Sequence, residues 1–226
     1  MGQPIPRISR PAEEHEQRRA ADRARLLERV AIGLAHEGKN PLHNMALHLQ
    51  LMAEKLASPE RQGGSPIEKH ISAVRDGITR VDAVLKAFGE FAAPEHLPPD
   101  LGAAVSRAVQ LLSYEARRAS VQLAQSGPRM LMVQSEGRWL GDLVGHALVA
   151  AIELARDGGR VDLLVEQRGA MAELILRASD GLGNRELAHP YLDAARGLAA
   201  DAACELSIDT PAAGGARFSL SFLHPR

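Results

Sequence analysis

His36, Glu37 and Asn40 fall in one short run, Ala35-His36-Glu37-Gly38-Lys39-Asn40-Pro41-Leu42. A neutral imidazole is a good nucleophile toward phosphorus and titrates near neutrality, so it accepts and releases a phosphoryl group reversibly. A carboxylate beside it can hydrogen-bond the second ring nitrogen, fix the tautomer and take up the proton as attack proceeds. Those roles are open to His36 and Glu37. Asn40, one helical turn on, can orient a water for hydrolysis of an aspartyl phosphate on a partner. On a helix His36, Asn40 and His43 share a face with Glu37 flanking, while Leu34 and Leu42 point elsewhere, which predicts a solvent-facing imidazole. Of the chain's nine histidines, His43, His48 and His70 have no comparable neighbourhood and read as ordinary polar positions.

The elements that must carry this group come next. Between Pro11 and Ala57 only Gly33, Gly38 and Pro41 interrupt a helical pattern. Residues 13–29 are charged on most faces, as in an exposed helix. Leu27, Val30 and Leu34 start one apolar stripe, and Leu42, Met45, Leu49, Met52 and Leu56 form a second one out of phase with it. Pro41 between them cannot donate to the carbonyl of Glu37 and can supply a kink. Ser58-Pro59-Glu60-Arg61-Gln62-Gly63-Gly64 reads as a turn, after which Ser65, Pro66 and Glu68 form a helix start. Ile67, Ile71, Val74, Ile78, Val81, Leu85 and Phe88 then alternate at four and three, the seam of a coiled-coil-like helix. One hairpin cannot enclose such faces, and pairing two into a four-helix bundle predicts a homodimer.

The 226 residues are 45% apolar and only 3% aromatic, a balance that favours helices packed through small and medium side chains. With 27 Lys and Arg against 28 Asp and Glu, nothing points to nucleic acid or an anionic membrane. The single Cys204 excludes an intramolecular disulfide and a cysteine metal cluster, as suits a reducing cytosol. No apolar run approaches a membrane span and the N-terminus lacks a signal core. The expectation is a cytoplasmic protein without sensor domain or anchor, signalled by another protein. Its parts are a flexible tail over 1–11, a helical hairpin over 12–93, a linker over 94–100 and an α/β domain over 101–226.

In that last part the pattern predicts a helix over 101–118 capped by Asp100, with short strands over 121–123 and 129–134. A helix over 137–155 follows, with Leu140, Val144, Leu148 and Ile152 as its buried stripe. Strands over 160–167 and 171–178, a helix over 185–203 and strands over 205–209 and 216–222 complete an α+β chain.

The run around His36 resembles the phosphoacceptor box of the dimerising domain of two-component histidine kinases. That resemblance implies a phosphohistidine at His36, with Glu37 and Asn40 in the acid–base and water-orienting roles. Lys39 matches the family's basic residue. Gly38 departs from its apolar one and is expected to loosen local packing. Tyr114-Glu115-Ala116-Arg117-Arg118 and Gly215-Ala216-Arg217-Phe218-Ser219-Leu220 resemble the ATPase domain of the same kinases. Its nucleotide motifs do not carry over. The metal-binding box falls on His146 and Ala150, and alanine has no oxygen for Mg²⁺. The adenine box places its glycines at Gly181 and Gly183 and its aspartate at Ser179, with Asp180 one place late, which leaves that position open. The glycine-rich lid is missing, and Gly214-Gly215 reads as a turn.

This layout resembles the dimeric histidine phosphotransferases of bacterial phosphorelays. The implied protein exchanges phosphoryl groups between receiver-domain aspartates through His36, with phosphatase activity as a variant. It needs no cofactor and no metal of its own, and ATP-dependent kinase activity is not expected. The alternatives are an atypical autophosphorylating kinase and a non-catalytic protein that sequesters a kinase or response regulator.

Overall fold

The structure is a computed structural model and describes residues 10–57, 67–93, 98–179, 181–209 and 215–225. Two long helices, α1 (Arg10–Ala57) and α2 (Ile67–Ala92), form the hairpin. α1 runs through Pro41 without a break. The tail over 1–9, the turn with Ser65 and Pro66, most of the linker, Asp180 and Gly214 lie outside the described residues.

The second half contains α3 (Leu101–Arg118), β1 (Gln122–Ser126), α4 (Gly137–Leu154), β2 (Arg160–Arg168), β3 (Met171–Ser179), α5 (Arg185–Ala199), β4 (Cys204–Asp209) and β5 (Ala216–Leu223). The sheet order is β1-β2-β3-β5-β4. β1 and β2 pair in parallel, because α4 crosses between them, and every other pair is antiparallel. Burial alternates along β2 and β5, so one face of the sheet is covered. Leu163, Leu174, Phe218 and Phe222 lie there with Leu140, Leu148 and Ile152 of α4 in one core. The chain is α+β, a helical hairpin followed by an α/β sandwich.

Two expectations need correction. The segment over 129–134 is not a strand of the sheet. It crosses the start of α3, where Leu131 and Val133 exchange backbone hydrogen bonds with Leu101 and Pro99 (2.8 Å each). The Asp100 carboxylate accepts from both Ala103 N (3.1 Å) and Leu131 N (2.9 Å), so one side chain caps the helix and pins this segment. Gly102 permits the crossing, since a Cβ there would lie 2.6 Å from the carbonyl oxygen of Arg129.

The charged start of α1 is exposed over 13–18, but one side of it packs onto the α/β domain further along. Leu26 and Val30 join the core of the α/β domain, and Gly145 of α4 leaves room for Leu26. Around them Arg19 pairs with Asp201, Arg23 with Asp142, and Arg29 with Glu115 and Glu153.

The α2 seam is only partly covered within one chain. Ile71, Ile78 and Leu85 stay exposed at 42%, 58% and 56%, whereas His70, Gly77, Ala87 and Phe91 are buried. Leu42, Leu49 and Leu56 of α1 are exposed as well. Gly77 sets the close helix contact, because its missing Cβ would clash with Met45.

Candidate functional site

His36 sits on α1 where that helix meets α3. Gly33, one turn earlier, makes the approach possible: a Cβ on it would lie 3.3 Å from the carbonyl oxygen of Leu111 and 3.5 Å from the Cβ of Tyr114. With the backbones this close, the His36 imidazole stacks on the Tyr114 ring, centroids 4.4 Å apart and planes 6° from parallel. His36 is otherwise exposed, and so are Lys39, Asn40 and His43. Glu37 is half-buried and forms an ion pair with Arg117, which follows Tyr114 by one turn of α3.

The solvent-facing imidazole expected from helical spacing is therefore present, but one of its faces is covered. Tyr114 and Arg117 escaped sequence reasoning as site residues. Their spacing of three on one helix was legible, but nothing local says that this helix lies against His36.

Gly38 does not loosen any packing, because a Cβ there would meet nothing within 4 Å. Its effect is one of helix propensity alone. Gly38→Ala is expected to raise stability by about 1 kcal/mol, read as a higher urea midpoint with an unchanged slope.

His48 and His70, read as ordinary polar positions, meet across the hairpin with their Nδ1 atoms 3.0 Å apart, and His70 is buried. One ring must donate and the other accept.

The described positions aligned with nucleotide motifs, His146, Ala150, Ser179, Gly181 and Gly183, are taken up largely by packing. His146 and Ala150 are fully buried. Among the described residues neither His146 ring nitrogen has a hydrogen-bond partner, and the ring tilts against Tyr191 at 5.8 Å between centroids. Burial, with Arg25 nearby, pushes its pKa down to about 4. Ser179 ends β3 half-buried.

Gly181 and Gly183 allow close backbone contact with the end of α4. A Cβ on Gly181 would lie 2.2 Å from the Ala155 carbonyl oxygen, and one on Gly183 2.7 Å from that of Leu154. Gly183 adopts φ +66, which only glycine takes readily. Asn184 N then donates to Glu153 O at 2.7 Å, so the whole connection is fastened to the end of α4.

Beside it, the buried Glu153 carboxylate holds Arg29 and Arg156. Burial pushes its pKa up, but Arg156 and Arg29 outweigh this and hold it below the usual carboxylate range. Arg29 also reaches Glu115 (2.9 Å) and lies over the Tyr191 ring (5.3 Å). A cavity of about 490 Å³ does run along α4, but His15, Arg19 and Arg23 of α1 wall it, and both arginines are committed to carboxylates. These residues do not fit a magnesium nucleotide.

Among the described residues no cluster of His, Cys, Asp and Glu could hold a metal ion, and no helix is long and apolar enough to cross a membrane.

No family model and no curated protein matches the chain. Among solved structures it is similar to the catalytic domain of histidine kinase ThkA, at 13% identity and a TM-score of 0.47 over 55% of this chain and 94% of that one. The mycobacterial sensor histidine kinase MprB follows at 20% identity and 0.44, over 57% and 97%. A bacterial phosphotransferase shares 15% identity at 0.46, over 87% of this chain and 96% of that one. Likenesses this distant assign no activity.

Proposed function

We propose that the chain is a histidine phosphotransferase of a bacterial two-component phosphorelay, acting as a homodimer on receiver domains. The observation that carries this reading is an exposed imidazole next to a carboxylate, in a chain whose aligned metal-box positions are His146 and Ala150. His36 and Glu37 keep the chemistry of phosphoryl acceptance. At the positions that align with the kinase metal-binding box stand His146 and Ala150, both fully buried, which supports a phosphoryl donor other than ATP.

In the transfer, the lone pair of one His36 ring nitrogen attacks phosphorus in a receiver's aspartyl phosphate. The nitrogen–phosphorus bond forms as the acyl phosphate oxygen–phosphorus bond breaks, and the aspartate leaves as a carboxylate. Glu37 takes up charge or proton from the other ring nitrogen. The reverse sequence loads a second receiver. The receiver brings its own Mg²⁺, so this chain supplies nucleophile and alignment. Asn40, exposed on the same face, is placed for the hydrolytic variant.

The dimer reading is supported by the apolar residues that one chain leaves uncovered. Leu42, Leu49 and Leu56 on α1 and Ile71, Ile78 and Leu85 on α2 recur at heptad spacing. A second copy would bury both rows in a four-helix bundle.

The test is to incubate the chain with response-regulator receiver domains labelled by acetyl phosphate, and separately with labelled ATP. Label is expected on His36 from a receiver and not from ATP, and His36→Ala should abolish it. Label from ATP alone would establish the atypical kinase. Receiver binding that survives His36→Ala, without transfer to the wild-type chain, would establish sequestration. Sedimentation of the full chain checks the dimer.

A further inference from the structure

We infer that Tyr114 is a positioning residue for phosphotransfer, which fixes the plane of the His36 imidazole while Arg117 holds Glu37 beside it. The ATPase-like domain thus supplies half of the site. This inference rests on the reading of His36 as the phosphoacceptor.

The stack is nearly parallel at 6°, with 4.4 Å between centroids. An imidazole on an exposed helix face otherwise samples several rotamers, and an attacking nitrogen gains from being held in one. The lone pairs of an imidazole lie in the plane of its ring. A tyrosine on the face therefore restricts the plane yet leaves the reactive edge open to an incoming phosphorus. A hydrogen bond to a ring nitrogen would have blocked that edge, and among the described residues none is made to His36.

Several features hold Tyr114 in place. Gly33 sets the distance between the backbones. Glu115, the next residue, is buried and bound by Arg29 of α1 at 2.9 Å and by Arg118 at 3.0 Å, which fixes the rotation of α3. Two consecutive residues of α1, His36 and Glu37, thereby meet two residues one turn apart on α3, Tyr114 and Arg117.

Arg117 has an electrostatic part to play. A bare Glu37 carboxylate adjacent to the nucleophile would repel an arriving phosphoryl dianion. The Arg117 guanidinium offsets that charge by holding Glu37 Oε1. The side chain of Arg117 is 59% exposed, so the offset should weaken with salt.

The experiment measures transfer from an acetyl-phosphate-labelled receiver domain to the full chain, together with the NMR spectrum of the His36 ring. Tyr114→Phe keeps the stack and should transfer at the wild-type rate. Tyr114→Ala should lose the ring-current shift of the His36 protons and slow transfer about tenfold or more. The receiver concentration at half-saturation and the melting temperature should stay unchanged. Arg117→Ala should slow transfer and flatten its salt dependence, with Arg117→Lys in between.

Loss of the ring-current shift in Tyr114→Ala with transfer unchanged or faster would overturn the inference. A slower Tyr114→Ala whose loss lies wholly in receiver half-saturation would also overturn it, since that makes Tyr114 a docking contact. If no receiver labels the wild-type chain, the proposed function fails separately. Modification of His36 by phosphoramidate, followed by ³¹P NMR, then decides the inference: equal rates for wild type and Tyr114→Ala reject it.

Discussion

Arg29→Met is expected to destabilise the chain by about 3 kcal/mol, because it strips a partner from two buried carboxylates at once. Glu115 and Glu153 are both within 2% of full burial, and Arg29 binds each of them from α1. Each keeps one further arginine, Arg118 and Arg156 respectively, which holds the effect at the low end of the range for a broken buried pair. Burial works against the charge on Arg29, yet Tyr191, Glu115 and Glu153 raise its pKa and keep it cationic.

The pH dependence has a definite sign. Glu153 titrates below its ordinary 4.5 in the folded chain, so its pairing stabilises above that value and is lost as the pH falls through the folded one. Without Arg29 that loss should begin at higher pH. Urea unfolding at pH 7 and pH 4 measures both effects. The triple change Arg29→Met, Glu115→Gln, Glu153→Gln should recover much of the loss, since no charge is then left unpaired. A single variant as stable as wild type would show that α1 is not anchored through this arginine.

The consequence reaches the site. Arg29 precedes His36 by two turns of the same helix, and its partner Glu115 is adjacent to Tyr114. The ion-pair network of Arg29 therefore also sets the register between α1 and α3.

Element positions were largely written in local pattern. The Asp100 cap, the α4 stripe and the paired strands β2 and β3 emerge within a residue or two of where periodicity places them. The errors arise where a distant element decides. Residues 129–134 have strand-like composition, but Pro99, Asp100 and Leu101 hold Leu131 and Val133 at the start of α3, and Gln134 N reaches the sheet at Leu223 O. Arg19, Arg23 and Arg29 look like part of a solvated face until the acidic partners Asp201, Asp142 and Glu153 are brought to them by folding. Gly181 and Gly183 fit a nucleotide motif by spacing, whereas their missing Cβ atoms serve backbone contact with α4. Within the candidate site, His36, Glu37 and Asn40 were legible because one helix carries all three. Tyr114 and Arg117 were not, because only the α1–α3 contact through Gly33 makes them neighbours.

His146→Leu is expected to stabilise the chain, increasingly so as the pH falls. A buried imidazole with both nitrogens unpartnered costs about 1–3 kcal/mol even when neutral. Leucine is close to it in size and a better helix former, so some of that cost should return at pH 7.5. Acid adds a larger effect. The folded pKa is pushed down to about 4 from 6.5, so the unfolded chain takes up the proton first. Stability associated with the neutral ring is complete above the unfolded value, erodes as the pH drops below it, and is fully lost below the folded one. That difference amounts to about 3 kcal/mol in all, with about 2 kcal/mol gone by pH 5.

Unfolding of wild type and His146→Leu at pH 7.5 and pH 5 isolates this group, because both proteins share their other titrating residues. Asp142, raised by burial and opposed by Arg23, lines the same cavity and is the neighbour most able to couple. Repeating the pair in an Asp142→Asn background measures that coupling. Identical acid limbs in wild type and His146→Leu would mean that the imidazole is protonated in the fold and has found an anion. With Asp142 on the same cavity wall, that anion would be sought there first, and the packing of α1 against α4 would have to be redrawn around an ion pair.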